Sequence, residues 1–187
     1  MKNNVLRSVN LFIFIMLTGC SSLSEKHFPL SSLTSDAQTH VAQQQWQINQ
    51  GNEHFSLQVI VERTPERWQL IMMNNLGQRF ATALITGDHV TVEQLQSHPA
   101  NKLIPELLDA VQFSFWPLAD LQKPTVSDWR FTDDAKHRDI YFSGILRATV
   151  DYTNENLWQG NLVYTTKKTK FNKKSNFQLL IESQLLN

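Results

Sequence analysis

Few side chains in this sequence are of a type and setting that could do chemistry. Cys20 is the single cysteine of the chain, so no internal disulfide can form and its thiol must react, if at all, with something other than a second cysteine. Six histidines, His27, His40, His54, His89, His98 and His137, are scattered, with none at the i, i+4 or His-x-His spacing that a metal site favours. No metal or cofactor is expected. Asp133, Asp134 and Asp139 stand in a polar stretch, the serines lack a nucleophile-elbow context, and no Gly-rich phosphate loop is present. The chain therefore advertises no catalysis. Its one concentration of charge is Lys167, Lys168, Lys170, Lys173 and Lys174. Each of these lysines would contribute about 1 kcal/mol near an anionic lipid surface, although a solvated hairpin accounts for them equally well.

The balance of the chain points the same way. Lys plus Arg and Asp plus Glu both number 17, which argues against nucleic acid as the main partner. A composition of 41% hydrophobic residues with six Gly and six Pro is that of a globular protein with one sizeable core.

Cys20 closes a segment ordered as export requires. Lys2 and Arg7 precede an apolar run from Leu11 to Leu17, which falls short of the roughly 20 residues that cross a bilayer. Leu17-Thr18-Gly19-Cys20 resembles a bacterial lipobox. The resemblance implies that the Cys20 thiol is joined to a diacylglyceryl group, that residues 1–19 are removed, and that the new amino terminus is acylated. Ser21, rather than Asp, after the cysteine implies retention on the periplasmic face of the outer membrane. Three acyl chains would anchor the protein by tens of kcal/mol, at about 0.8 kcal/mol for each buried methylene. The polar, Ser-rich stretch 20–38 then serves as a flexible tether, and residues 39–187 form the domain. A monomer is expected.

The elements that must position any site come next. Strands are predicted over Val41 to Ile48 and then around Phe55, Leu57, Val59 and Val61, which alternate with His54, Ser56, Gln58 and Glu62. A turn at Thr64-Pro65-Glu66 leads to Trp68, Leu70 and Met72, a turn at Asn74-Asn75-Leu76-Gly77 leads to Phe80 to Ile85, and Gly87-Asp88 leads to Val90 to Leu95. The period then changes to helical, with a helix over about Pro105 to Phe113 and a second short one over Pro117 to Gln122. Strands return at Asp128 to Phe131, Arg138 to Phe142, Ile145 to Tyr152, Trp158 to Thr165 and Phe177 to Ser183. About ten strands with one apolar face must close into a barrel or be covered, and the short helices are the available cover.

At this point the chain resembles the LolA/LolB family of periplasmic lipoprotein carriers and receptors, with LolB the nearer. Arg67-Trp68-Gln69-Leu70 followed by Asn74-Asn75-Leu76-Gly77 is similar to the LolB strand that ends in a protruding turn. Pro105 through Leu121, with Pro117-Leu118-Ala119-Asp120-Leu121, is similar to its lid helices. Leu-Gly-Gln-Arg and Trp-Pro-Leu segments further resemble a proteobacterial family of LolB-like lipoproteins often encoded beside fatty-acid-like or aryl polyene synthesis genes. The Trp-x-x-Gly that follows the LolB lid is missing after Leu121. The resemblance implies a mainly β, half-open antiparallel barrel with a helical lid over an apolar cavity. That cavity would be lined by Trp68, Leu70, Met72 and Phe80 of the sheet, and by Leu107, Leu108, Val111, Phe115, Trp116, Leu118 and Leu121 of the lid.

The resemblance also implies that Leu76, flanked by Asn75 and Gly77, enters the membrane, that a hydrophobic cargo is handed on, and that a LolA-like carrier is the donor. The residues alone allow Leu76 to fold back onto the core, and leave open which face of the next strand Arg79 takes, with exposure favoured. Two other functional classes stay on the table. A structural accessory of an envelope assembly or lipid-synthesis complex would have a filled interior. An acyl hydrolase would need a convergent Ser, His and acid group, and it ranks last.

Overall fold

The structure, a computed structural model, describes residues 38–122, 128–167 and 176–186. Residues 1–37, with Cys20 and most of the tether, and Lys168, Lys170, Lys173 and Lys174 lie outside the described residues.

Alternation along the chain becomes a meander. β1 (His40–Gln50), β2 (Glu53–Arg63), β3 (Arg67–Met73), β4 (Arg79–Thr86) and β5 (His89–Gln94) pair each with the next, all antiparallel. The inward side chains follow the period of two: Ala42, Gln44, Trp46 and Ile48 of β1, and Leu57, Val59, Val61 and Arg63 of β2, are buried. A second meander comprises β6 (Trp129–Asp133), β7 (His137–Phe142), β8 (Ile145–Tyr152), β9 (Gly160–Thr166) and β10 (Phe177–Leu185). Pairing of β1 with β10 joins the two halves into one ten-stranded sheet, with β5 and β6 as its edges. Twist curls such a sheet, and here it stops short of closure.

The chain between the two edges supplies the cover. A 3-10 turn, Pro99–Leu103, leads into α1 (Ile104–Phe115), and α2 (Leu118–Leu121) follows. Pro105 is tolerated because it stands in the first turn of α1, where its missing N–H costs no hydrogen bond. The result is mainly β: a half-open barrel with a helical lid.

Strand direction defines two rims. The turns β1–β2, β3–β4 and β7–β8, the ends of β5 and β9 and the start of β10 lie at one rim, here the upper. The turns β2–β3, β4–β5, β6–β7 and β8–β9, the start of β1 and the end of β10 lie at the lower. α1 starts toward the upper rim, where Lys102 just ahead of it pairs with Glu53 at 2.6 Å, and ends toward the lower.

Three details differ from the sequence expectation. The 3-10 turn was not anticipated, because Pro99-Ala100 carries no apolar period; His98 starts it, its Nδ1 accepting from the Ala100 N–H at 3.2 Å. Trp158 is not in a strand: the Asn156 side chain accepts its N–H at 3.0 Å, a local turn that competes with pairing and sends the ring inward against His40. β10 runs two residues past Ser183, paired to β1 throughout.

Candidate functional site

The β3–β4 turn is built to present one side chain. The Asn74 side-chain oxygen accepts the N–H groups of Leu76 at 2.9 Å and Gln78 at 3.0 Å, while the Asn74 backbone accepts from Gly77 at 2.9 Å and donates to Gln78 at 3.0 Å. Gly77 takes φ +75, a left-handed conformation that costs other residues about 1–2 kcal/mol. With the backbone so held, Leu76 does not fold back: it is 82% exposed. A single exposed Leu is ordinary on a protein surface; what is particular here is a turn whose own hydrogen bonds hold the backbone at the position where that side chain projects.

A bulge follows at once. Met72 pairs with Ala81 and Met73 with Arg79, so Phe80 is the extra residue, which explains why the alternation of this strand could not be read. Phe80 is buried and stacks on His98 at 4.1 Å; Arg79 is exposed. Burial of His98 pushes its imidazole below the usual range.

The interior is where the expected lining residues meet. Trp68, Leu70, Met72, Phe80, Leu107, Val111, Phe115, Trp116 and Leu121 are buried in one apolar cluster, with Leu108 and Leu118 half-buried against it. Toward the lower rim the rings touch: Trp68 lies 4.5 Å from Trp116, 5.3 Å from Trp158 and 6.0 Å from Phe115 by ring centroids. The lid therefore packs directly on the sheet at that end.

Two side chains that sequence reasoning passed over fasten the lid. An α-helix leaves its last carbonyls without partners. Arg138 points inward from β7, with its guanidinium donating to the Phe113 oxygen at 2.6 Å and the Trp116 oxygen at 2.9 Å, and also to Asp133 at 2.6 Å. Tyr152 of β8 donates to the Ser114 oxygen at 3.0 Å. A buried cation at a helix carboxyl end also meets the negative pole of the helix dipole. Burial raises the Tyr152 phenol well above its usual range, with the neighbouring guanidinium opposing that rise. Arg138 was read only as the first residue of a strand; a cation alternating with Ile140 toward the apolar face was the signal available.

Gln44 is a second omission. It is buried on the inner wall, where its amide donates to Ser183 at 2.9 Å and accepts from the Trp46 indole at 2.8 Å, so its polarity is satisfied within the wall. Of the lysine run only Lys167 is described; it is exposed, and its N–H donates to the Arg147 oxygen at 2.7 Å.

No curated protein sequence matches the chain. Among solved structures, a LolA superfamily protein from Nitrosomonas europaea is 7% identical with a TM-score of 0.46, covering 82% of this chain and 87% of that one. A family profile matches residues 41–184. That match spans both meanders and the lid between them, and the chain belongs to the family described as protein of unknown function (DUF3261).

Proposed function

We propose that this chain is an outer-membrane-anchored, non-enzymatic lipoprotein that binds a hydrophobic acyl-chain cargo, whether a lipoprotein or a lipid or polyene product, and helps deliver it to the outer membrane. The observation that carries the reading is Leu76, 82% exposed on a locked turn at the rim of an unclosed, apolar-lined sheet. An apolar wall gives affinity of about 0.8 kcal/mol for each methylene taken from water, and a lid in two short pieces gives a route for entry and release. Delivery then needs no nucleotide. The lipobox-like sequence at Cys20 and the Ser21 that follows support anchoring at the outer membrane, and the LolB-like order of elements supports a soluble LolA-like carrier as donor.

A second reading, a structural accessory that works through its outer faces, draws on the ring contacts of Trp68, Trp116 and Trp158 at the lower end of the interior. Native mass spectrometry of the protein from its own organism separates the two. A co-purifying acyl or polyene molecule is expected, and its consistent absence, together with unaltered lipid or cargo transfer by Leu76→Glu, would overturn the carrier reading.

A further inference from the structure

We propose that the whole upper rim, and not the β3–β4 turn alone, is a bilayer-docking face that sets the domain upright on an anionic lipid surface. The inference rests on the reading that the domain works at a membrane, and adds how it stands there.

Among the described residues four large apolar side chains are exposed: Leu76 at 82%, Leu95 at 39%, Ile145 at 40% and Leu186 at 49%. They belong to distant parts of the sequence, yet strand register brings the first three to one rim. Leu76 caps the β3–β4 turn. Leu95 directly follows β5, its N–H donating to the Phe80 oxygen beside that turn at 2.8 Å. Ile145 opens β8 opposite Phe142, whose ring lies 4.9 Å from that of Trp129, both half-buried. Aromatic rings beside an aliphatic tip suit the boundary between headgroups and acyl chains. One inserted side chain would leave the domain free to pivot, whereas three spread around the rim define a plane.

Charge distinguishes the rims. The upper one carries Arg79, Arg147 and Lys167, none of them in an ion pair among the described residues, with Lys102 paired to Glu53 and with Glu93 and Asp128 as exposed carboxylates. The turns of the lower rim carry exposed Glu66, Asp88, Asp134 and Glu155, against Lys136. An anionic bilayer attracts the first and repels the second. The apolar tips share the rim with Arg79, Arg147 and Lys167, a mixture that fits headgroups better than the charge-depleted core of a protein interface. Reach permits the posture. β1 starts at the lower rim, and a segment spanning 20–38 extends to at most about 65 Å, against about 36 Å for the eleven residues of β1.

The test uses the mature protein extracted from membranes and reconstituted in phosphatidylethanolamine vesicles with and without phosphatidylglycerol. An environment-sensitive fluorophore is placed on Leu76→Cys, Leu95→Cys, Ile145→Cys or, as lower-rim control, Asp88→Cys. The unsubstituted protein, labelled in parallel, gives any background from Cys20. Insertion of about 5–10 Å brings the label within reach of lipid-borne quenchers, so about a twofold loss of emission is expected at the three upper positions. No loss is expected at Asp88→Cys, and the upper losses shrink without phosphatidylglycerol or in Arg147→Gln/Lys167→Gln. Quenching at Leu76→Cys alone would overturn the planar rim while leaving the carrier reading intact. Quenching at the Asp88 label, or at none of the four, would overturn the docking face outright.

Discussion

Arg138→Met puts the fastening of the lid to the test. The wild-type guanidinium, with its side chain 6% exposed, meets two helix-end carbonyls and a carboxylate whose side chain is 22% exposed. Met has comparable reach and no donor, so the substitution removes the hydrogen bonds that Arg138 gives the Phe113 and Trp116 oxygens and the Asp133 carboxylate. Breaking a buried ion pair from one side costs about 3–5 kcal/mol, against a total stability of about 5–15 kcal/mol for a domain. At about 2–4 °C per kcal/mol for a chain of this size, the melting temperature should fall by roughly 6–20 °C. Tyr152→Phe removes one neutral bond to the Ser114 oxygen and should cost about 1 kcal/mol. Because both side chains hold the same helix end, the double variant should lose less or more than the two singles together by a measurable coupling. Urea unfolding followed by tryptophan fluorescence suits the measurement, since Trp68 and Trp116 lie against each other beside this latch. A loss below about 1 kcal/mol for Arg138→Met, with the urea dependence unchanged, would refute the assignment of Arg138 as the lid's main polar anchor.

Other outcomes follow from the same geometry. Gly77→Ala meets no atom within 4 Å of the added carbon, so its cost is the left-handed backbone alone, about 1–2 kcal/mol, read from the unfolding midpoint. His137 sits between Asp151 at 2.6 Å and Asp139 at 2.9 Å, and those hydrogen bonds raise its pKa above the usual 6.5. The imidazolium therefore stabilises the fold below that ordinary value and the contribution fades as pH rises through the raised one. The melting temperature of His137→Asn should fall furthest below wild type near about pH 5–6 and converge with it at alkaline pH. A pH-independent difference would contradict the charged pairing. Intact-mass measurement of the membrane fraction should find a lipid mass increment on the wild type and none on Cys20→Ser.

What the sequence determined by itself was the period. Alternation in β2 and β3, the turn-bounded strand-like stretches that make up the rest of the two meanders, and the helical spacing of Leu103, Leu107, Leu108 and Val111 are local properties of the chain, and they placed almost every element. The Asn-Asn-Leu-Gly turn was legible for the same reason, since side-chain acceptor, exposed tip and left-handed glycine are all neighbours. Tertiary structure decided what depends on residues far apart. Whether Leu76 stood out or folded back was open until the hydrogen bonds of Asn74 were seen; the bulge at Phe80 needs the partner strand; and Arg138 looked like any strand residue until a helix end was brought to it. The clustering of Leu76, Leu95 and Ile145 on one rim is likewise a matter of register, which pairs residues by backbone hydrogen bonds across the sheet and leaves no trace in local spacing.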